Sequence, residues 1–536
     1  MALVVALVAV VVGALVVALV ALVAVVATVA TLRTPAELPT PSPSNTGSAA
    51  HKRNRTTHLA IKDSVVGRER ERPQHSGPRQ PRRPFVHQWE ATDLRLVTRT
   101  PAAGSSATWV ATVYDTGMNL SDFDRACLAG EHGPANQFAL SILERMGDIQ
   151  SAAEMIDISR AHIDSTLYQG DATLEFAERL ANMGAQVVVP TTLNVSGVDE
   201  TGWQEWAVPP EHAEKAHRQM LAYQSMGTEP TWTCAPYQVA QKPSFGEQIA
   251  WGESNAVCFA NSVLGARTIQ YPDLLDICAA ITGRVPAVGL HLAENRVGQI
   301  LLELVDIPES LQQDDSFTPV LGHLLGTIAA DRVPVIEGLT VELTEDQLKA
   351  LCAGAASSGS VSLFHVVGQT PEAATREEAF AGQDPLETHR VTLRDLRAGR
   401  EELDSSSGEA LDMVVLGSPH FSLAEFRQLA PLLRGKRRHP KVQFLVTSGR
   451  AMVQLARDNG LLEPLEAFGA KVTVDTCILT TPMLFPDTKR LMTNSAKYAY
   501  YSPGLLDAEV AFGNMADCVR SAVEGRVHTD ISLWEG

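Results

Sequence analysis

The sequence predicts an α/β protein of mostly parallel sheets, layered with helices on both faces. Three observations predict it. Short β-branched runs recur at 186–189, 287–290, 333–336, 361–366, 413–416, 442–446 and 471–474. Helical-period segments separate them, and this alternation is the pattern of parallel strands with crossover helices. The runs end in polar tips rather than hairpin turns: PTTLN (190–194), HLAEN (291–295), GSPH (417–420), TSGR (447–450) and DTC (475–477). In open α/β sheets, ligands bind beyond the carboxyl ends of the strands. Each tip could cap the next helix, but as a set they predict one shared polar cleft.

The folded body is expected over 118–530. It opens with helices over 121–131, 133–149 and 173–184, the first with Ser121 and Asp124 in a capping-box spacing. Two different segments precede it. Residues 2–32 are uncharged and apolar, long enough to span a bilayer as a helix, or a mis-assigned start. Residues 33–117 are rich in Pro, Ser, Arg and Gln, the composition of a disordered linker. A basic excess after an apolar span would place the following chain in the cytoplasm. The expectation is therefore a cytoplasmic catalytic domain, with membrane anchoring through 2–32 as an option.

Charge and cysteines exclude several classes. The net charge is −18, yet residues 33–100 hold 13 Lys/Arg against 6 Asp/Glu, so the body is more acidic than the total suggests. An acidic body argues against a nucleic-acid surface. The 7 cysteines stand at 127, 234, 258, 278, 352, 477 and 518, with no CxxC pair. That excludes a zinc ribbon or a thioredoxin-type motif and reads as reduced thiols. No GxGxxG follows a strand at the right place, which removes a Rossmann-type dehydrogenase.

The stretch 231–268 stands apart. Cys234 lies in a Thr-Cys-Ala-Pro-Tyr turn, where Pro236 fixes φ and removes a donor. At helical spacing Ser254, Cys258, Asn261 or Ser262, and Gly265 share one face. Burying hydroxyls and amides unpaired is costly, so this face is either satisfied by neighbouring loops or faces a ligand. Cys234 and Cys477 sit in polar, turn-like motifs, whereas Cys127, Cys278, Cys352 and Cys518 lie in Ala-rich helical context. Thiolates presented by turns suit iron–sulfur or other thiophilic metal ligation.

Ten motifs in order carry a family resemblance: LAGEHGPA (128–135), HIDSTLYQGD (162–171), PTTLNVSGVD (190–199), TCAPY (233–237), GESNAVCFANSVLGART (252–268), GLHLAENR (289–296), GQTPEA (368–373), GSPH (417–420), DTC (475–477) and TNSAKYAYYSPG (493–504). Through them the chain resembles the catalytic part of the aconitase X family. The resemblance implies an aconitase-like α/β fold and hydro-lyase chemistry at an iron–sulfur cluster, acting on cis-3-hydroxy-L-proline or mevalonate 5-phosphate. Eliminating water needs a Lewis acid on the hydroxyl and a base for the adjacent proton. Within the matched motifs, Glu131, His132 and Lys497 are the candidate catalytic groups. Thr191, Thr192, Asn194, Ser262, Arg267, His291, Asn295 and Arg450 are the candidate substrate ligands. Cys234 and Cys477 are the candidate cluster ligands.

Two departures refine the expectation. The phosphate-substrate branch tends to carry a cysteine in its GCPH-like motif, where this chain has Ser418. A hydroxyl is a poor iron ligand beside a thiolate, so Ser418 is a weak candidate and Cys258 the nearest third sulfur. A [2Fe-2S] cluster is therefore favoured over [4Fe-4S], and cis-3-hydroxy-L-proline over the phosphate. The Gly-Ser-Ser-Ser-Gly-type motif of the family's small swivelling domain is absent, so a small partner subunit is expected. The rival class is a binding protein that keeps the fold without catalysis. A chain starting at residue 118 should fold alone, because 33–117 lack the periodicity to join a core. Loss of helical circular dichroism in a 118–536 chain would contradict the linker reading.

Overall fold

The computed structural model describes residues 117–239 and 241–535. The segments 2–32 and 33–116 lie outside them. Fourteen strands run through the described residues: β1 Met155–Asp157, β2 Ala161–Ile163, β3 Thr191–Leu193, β4 Ala250–Trp251, β5 Arg284–Pro286, β6 Ile300–Leu304, β7 Pro334–Glu337, β8 His365–Val366, β9 Glu387–Val391, β10 Met413–Leu416, β11 Gln443–Ser448, β12 Lys471–Val474, β13 Arg490–Thr493 and β14 Glu509–Phe512. They form three parallel sheets of order β3-β2-β4, β8-β7-β6-β9 and β12-β11-β10-β13-β14, plus the antiparallel pair β1-β5. Helices connect the strands in layers, as the alternating pattern predicts.

Each parallel sheet is wound in the same sense. Its first strand in sequence lies inside, the next strands go to one side, and the chain then crosses to the other. The direction reverses between β2 and β4, between β6 and β9, and between β10 and β13. Such switch points open a crevice at the carboxyl ends of the strands.

The third sheet shows how burial places those ends. β10 reads Met-Val-Val-Leu and all four side chains are buried. Successive strand residues face opposite ways. Val414 and Leu416 join Phe426, Leu429 and Leu433 of the helix Leu423–Leu433 in one core. Met413 and Val415 join another core that contains Ile163, Leu193 and Trp232. A sheet buried on both faces needs continuous apolar strands, which is why this run was readable. The second face is covered by the first sheet's core, so the strand ends of sheets one and three are drawn together.

The runs at 333–336, 413–416, 442–446 and 471–474 fall on β7, β10, β11 and β12. The other three differ. Residues 186–189 are not a strand: the Val187 and Val188 amides donate to Met226 O (2.9 Å) and Ala280 O (2.9 Å). Pro190 then removes a donor, and pairing starts at Thr191. At 287–290 the chain has already left β5, and Gly289, at φ +54°, turns it into a 3₁₀ segment. Of 361–366, only His365 and Val366 pair. The short strands β1, β2, β4, β13 and β14, and the longer β6 and β9, are additions.

Ser121 caps the helix Asp122–Leu128 through the expected capping box with Asp124. Asp124 also bonds the guanidinium of Arg284 on β5, at 2.8 and 2.9 Å, with both side chains buried. Burial pushes the Asp124 carboxyl up, but Arg284 and Ser121 outweigh it and hold it below its ordinary 3.8. The stability it contributes is present above that value and lost as pH falls through the lower folded value. Asp124→Ala leaves the Arg284 charge half-compensated and is expected to cost about 3 kcal/mol of unfolding free energy at pH 7, the lower end for breaking a buried pair. A urea midpoint equal to wild type would contradict this.

Candidate active site

The cleft is built from strand ends. Asp164 follows β2, Asn194 follows β3, and Glu253 follows β4. Glu253 N-caps the helix Ser254–Ser262, its carboxylate accepting the Ala256 amide at 2.7 Å. Across the cleft, the helix Ala496–Leu505 follows β13 and brings Lys497. Its Nζ lies 2.5 Å from Glu253 Oε1 and 3.3 Å from Ser254 Oγ. Burial alone would raise Glu253 and lower Lys497. Their mutual attraction, with the Ala256 amide and Asn255, reverses both, so both stay charged.

Asn255 links this pair to the first thiol. Its amide donates to Glu253 (3.1 Å) and to Cys234 O (2.9 Å), and its carbonyl accepts from Tyr237 OH (3.0 Å). Cys234 Sγ accepts the His420 amide at 3.2 Å. The His420 ring contacts Thr233 Oγ1 and Thr476 O, each at 3.1 Å, so one imidazole ties the TCAPY, GSPH and DTC motifs together. Burial lowers that imidazole to about 4, and it is neutral at pH 7. The second thiol heads a directed chain. Cys477 donates to Tyr498 OH (3.7 Å), which bonds Thr447 Oγ1 (2.9 Å), which donates to Gly417 O (2.6 Å). The next carbonyl, of Ser418, accepts from Ser495 Oγ. Burial pushes the Cys234 thiol up to about 12 and raises that of Cys477, while Lys497 opposes both shifts. These are the two half-buried cysteines; the other five are buried.

The structure gathers Asn194, Cys234, Cys477, Ser418 and Lys497 around this cleft. Ser418 also lines a cavity of about 150 Å³ with Lys349, Glu425 and Asp315. Arg450 starts the helix Arg450–Asp458 and is held by Asp475 (2.8 and 2.7 Å) and Glu200 (2.8 Å). Other predicted residues take structural partners. Thr191 donates to Val189 O, and Thr192 bonds His162. Ser262 accepts the Phe364 amide, and Asn261 bonds Thr268 and Arg296. The loop explanation therefore holds for that end of the helix. Cys258 sits in an apolar core beside Ser262 Oγ (3.9 Å) and Cys352, with no bond to the Cys234–Cys477 group.

His291 is buried between Gln248 (2.6 Å) and Tyr271. Asn295 is exposed and donates to Gly289 O. Arg267 is half-buried with its Nε unpaired among the described residues. Glu131 and His132 are exposed on the turn before the helix Pro134–Ile149, where the His132 ring lies 4.8 Å from that of Phe123. No hydrogen bond joins either to the cleft among the described residues. Sequence reasoning passed over Asp164, Glu253, His420 and Tyr498. Each lies inside a matched motif, but the strands that deliver Asp164 and Glu253, β2 and β4, are too short for a sequence period to single those residues out.

Three family models match in succession: the aconitase X first domain over 117–294, the second over 298–401 and the third over 411–524. The boundaries separate the three parallel sheets. A cis-3-hydroxy-L-proline dehydratase of Pseudomonas aeruginosa is 48% identical over 423 residues, covering 78% of this chain and 72% of that protein. A phosphomevalonate dehydratase large subunit of Thermococcus kodakarensis is 38% identical over 386 residues, covering 72% of this chain and 95% of that one. The crystal structure of Thermococcus kodakaraensis aconitase X in its holo-form matches with a TM-score of 0.68 and 36% identity, covering 76% of this chain and 100% of that one. The order of the sheets, the strand-end cleft and these matches agree, and the chain belongs to the aconitase X family.

Proposed function

We propose that this chain is a hydro-lyase that dehydrates cis-3-hydroxy-L-proline in the strand-end cleft. The observation that carries the choice of substrate is the state of the two cations at the cleft; Arg267, with its Nε unpaired, lies beside His291 and no contact brings it to the cleft among the described residues. Lys497 is neutralised by Glu253, and Arg450 by Asp475 and Glu200. A phosphorylated acid needs unengaged, preferably forked, cationic donors. A zwitterionic amino acid brings its own cation. Its carboxylate takes Lys497 and its ring ammonium takes Glu253, exchanging one ion pair for two. The Pseudomonas aeruginosa relative supports the same substrate. The second reading, mevalonate 5-phosphate, is favoured by the Thermococcus relative.

Family kinship suggests an iron–sulfur cluster, and the donor chemistry here suits one. Two half-buried thiols flank the cleft, and one accepts a backbone N–H, the kind of bond that tunes cluster sulfurs. Among the described residues no group of three or more His, Cys, Asp or Glu side chains is poised for a metal. A [2Fe-2S] cluster on Cys234 and Cys477, with Ser418 as the weaker neighbour, fits this donor set better than a three-thiolate [4Fe-4S] cluster. When bound, the cluster supplies a Lewis acid for the leaving hydroxyl. His420 and Tyr498 hold the two thiols in place. The Cα proton goes to a base that we assign to a small partner subunit, in keeping with relatives named as large subunits.

Two outcomes are expected. Cys477→Ala loses iron and acid-labile sulfide, whereas Cys352→Ala, buried away from the cleft, keeps both; equal iron in the two variants would remove the ligand assignment. The anaerobically purified chain turns over cis-3-hydroxy-L-proline, and adding the small subunit raises the rate about 10²–10⁴-fold, the usual contribution of a positioned base. Turnover of mevalonate 5-phosphate alone would select the second reading, and no turnover of either by an iron-loaded pair would favour a binding protein.

A further inference from the structure

Asp164 is held with more care than a surface carboxylate requires. The turn after β2 is anchored on the buried Asp276. That carboxylate accepts the Asp164 amide (2.5 Å), the Ser165 amide (3.1 Å), the Ser165 hydroxyl (2.6 Å) and the Ile277 amide (2.7 Å). On the other side the end of β4 comes close, since a Cβ at Gly252 would lie 2.9 Å from Asp164 Cβ. Any side chain at Gly252 would push Asp164 out of place. One carboxyl oxygen, Oδ1, accepts the Asn194 amide. Oδ2 has no hydrogen-bond partner among the described residues, and no cation pairs with the group there. Asp276 shows what a structural carboxylate looks like in this fold, and Asp164 is unlike it. The residue is half-buried rather than closed off, which leaves it within reach of a ligand in the cleft.

The charges facing Asp164 from the packed elements are Glu253, Asp273, Asp276 and Lys497. Three are acidic, and the one cation is already engaged by Glu253. Burial first, and then those carboxyls, hold Asp164 well above the usual carboxylate range. A carboxyl biased toward its protonated form, with one oxygen open, can pass a proton to a leaving group in the cleft.

We propose that Asp164 donates the proton that lets the substrate's 3-hydroxyl leave as water. The inference rests on the dehydration reading above. In the step, the Cα–H bond breaks and its proton passes to the base. Its electron pair becomes the Cα–Cβ double bond. The C3–O bond breaks with its pair on oxygen, which takes the Asp164 proton. Water and an enamine result, with Asp164 left as carboxylate and the base protonated. The enamine tautomerises to the cyclic imine.

The test compares two leaving groups on the full chain with its cluster and small subunit. Water needs a proton to leave; the chloride of cis-3-chloro-L-proline does not. Asp164→Asn should lower kcat/KM for cis-3-hydroxy-L-proline about 10²–10⁴-fold. It should leave chloride elimination at the wild-type rate and iron content unchanged. The wild type supplies a readout that needs no variant: its kcat/KM on the hydroxy substrate should fall as pH rises through the folded Asp164 value, and the chloro substrate should lack that limb. Equal losses on both substrates, or identical pH limbs in the wild type, would overturn the proton-donor role while leaving dehydration intact. Failure of the wild type to act on cis-3-hydroxy-L-proline would overturn the dehydration reading and this inference with it.

Discussion

The cleft depends on one buried ion pair, Glu253 with Lys497. It joins positions 244 residues apart, one at the end of β4 and the other at the start of the helix after β13. Burying two charges is costly unless both find good partners. Here the Ala256 amide, Asn255 and Ser254 complete the shell. Removing either member would strand the other in a dry cleft, at a cost of about 3–5 kcal/mol. The pair also aims its neighbours. Asn255 fixes the Cys234 carbonyl, and Tyr498, next to Lys497, meets the Cys477 sulfur. Thiols, carboxyls and ammonium are thus held to one another by a few side chains rather than by the sheets alone.

The three sheets share a winding but not a task. The first and third share one apolar core that holds Met413, Val415, Leu193 and Trp232, and the Ser196 amide beyond β3 donates to Asp475 O beyond β12 (2.8 Å), which joins their strand ends. The second sheet supports them. Arg296 is buried against Glu372 and bonds Asn261, pinning the far end of the helix that Glu253 caps. Helices Phe317–Ala329 and Glu345–Gly359 approach closely at Gly326, where a Cβ would lie 2.6 Å from Ala355 O and meet Ser358 Oγ. That approach seats Lys349 beside Asp346 (2.9 Å) and Glu425, at the start of the helix after the Ser418 turn. The second sheet and its helices therefore brace the cleft and contribute little of its lining.

What was legible follows from burial. The strands β10, β11 and β12 are apolar on both faces and announce themselves. β2 and β4, two or three residues long, have no period to read, although they carry the acidic residues of the cleft. Cys234 and Cys477 were distinguishable because their polar turns differ from the Ala-rich helices around the buried cysteines. His291, Thr191 and Ser262 are polar residues of matched motifs that find partners within the fold: Gln248 and Phe364 come from distant parts of the chain, and Val189 lies two residues away, so the motif alone does not show that they are engaged. Asp164 was hidden because its interest lies in the hydrogen bond it lacks, which no sequence displays.

Substrate is proposed to lie between the carboxyl ends of β2 and β4 and the Cys477 turn. A crystal structure of the Asp164→Asn chain, with its cluster, grown with cis-3-hydroxy-L-proline, tests it most directly. The expected complex has the ligand's carboxylate on Lys497, its ring ammonium on Glu253 and its 3-hydroxyl toward residue 164. A ligand bound instead in the cavity lined by Ser418, Lys349 and Glu425, with the Glu253–Lys497 pair untouched, would contradict it.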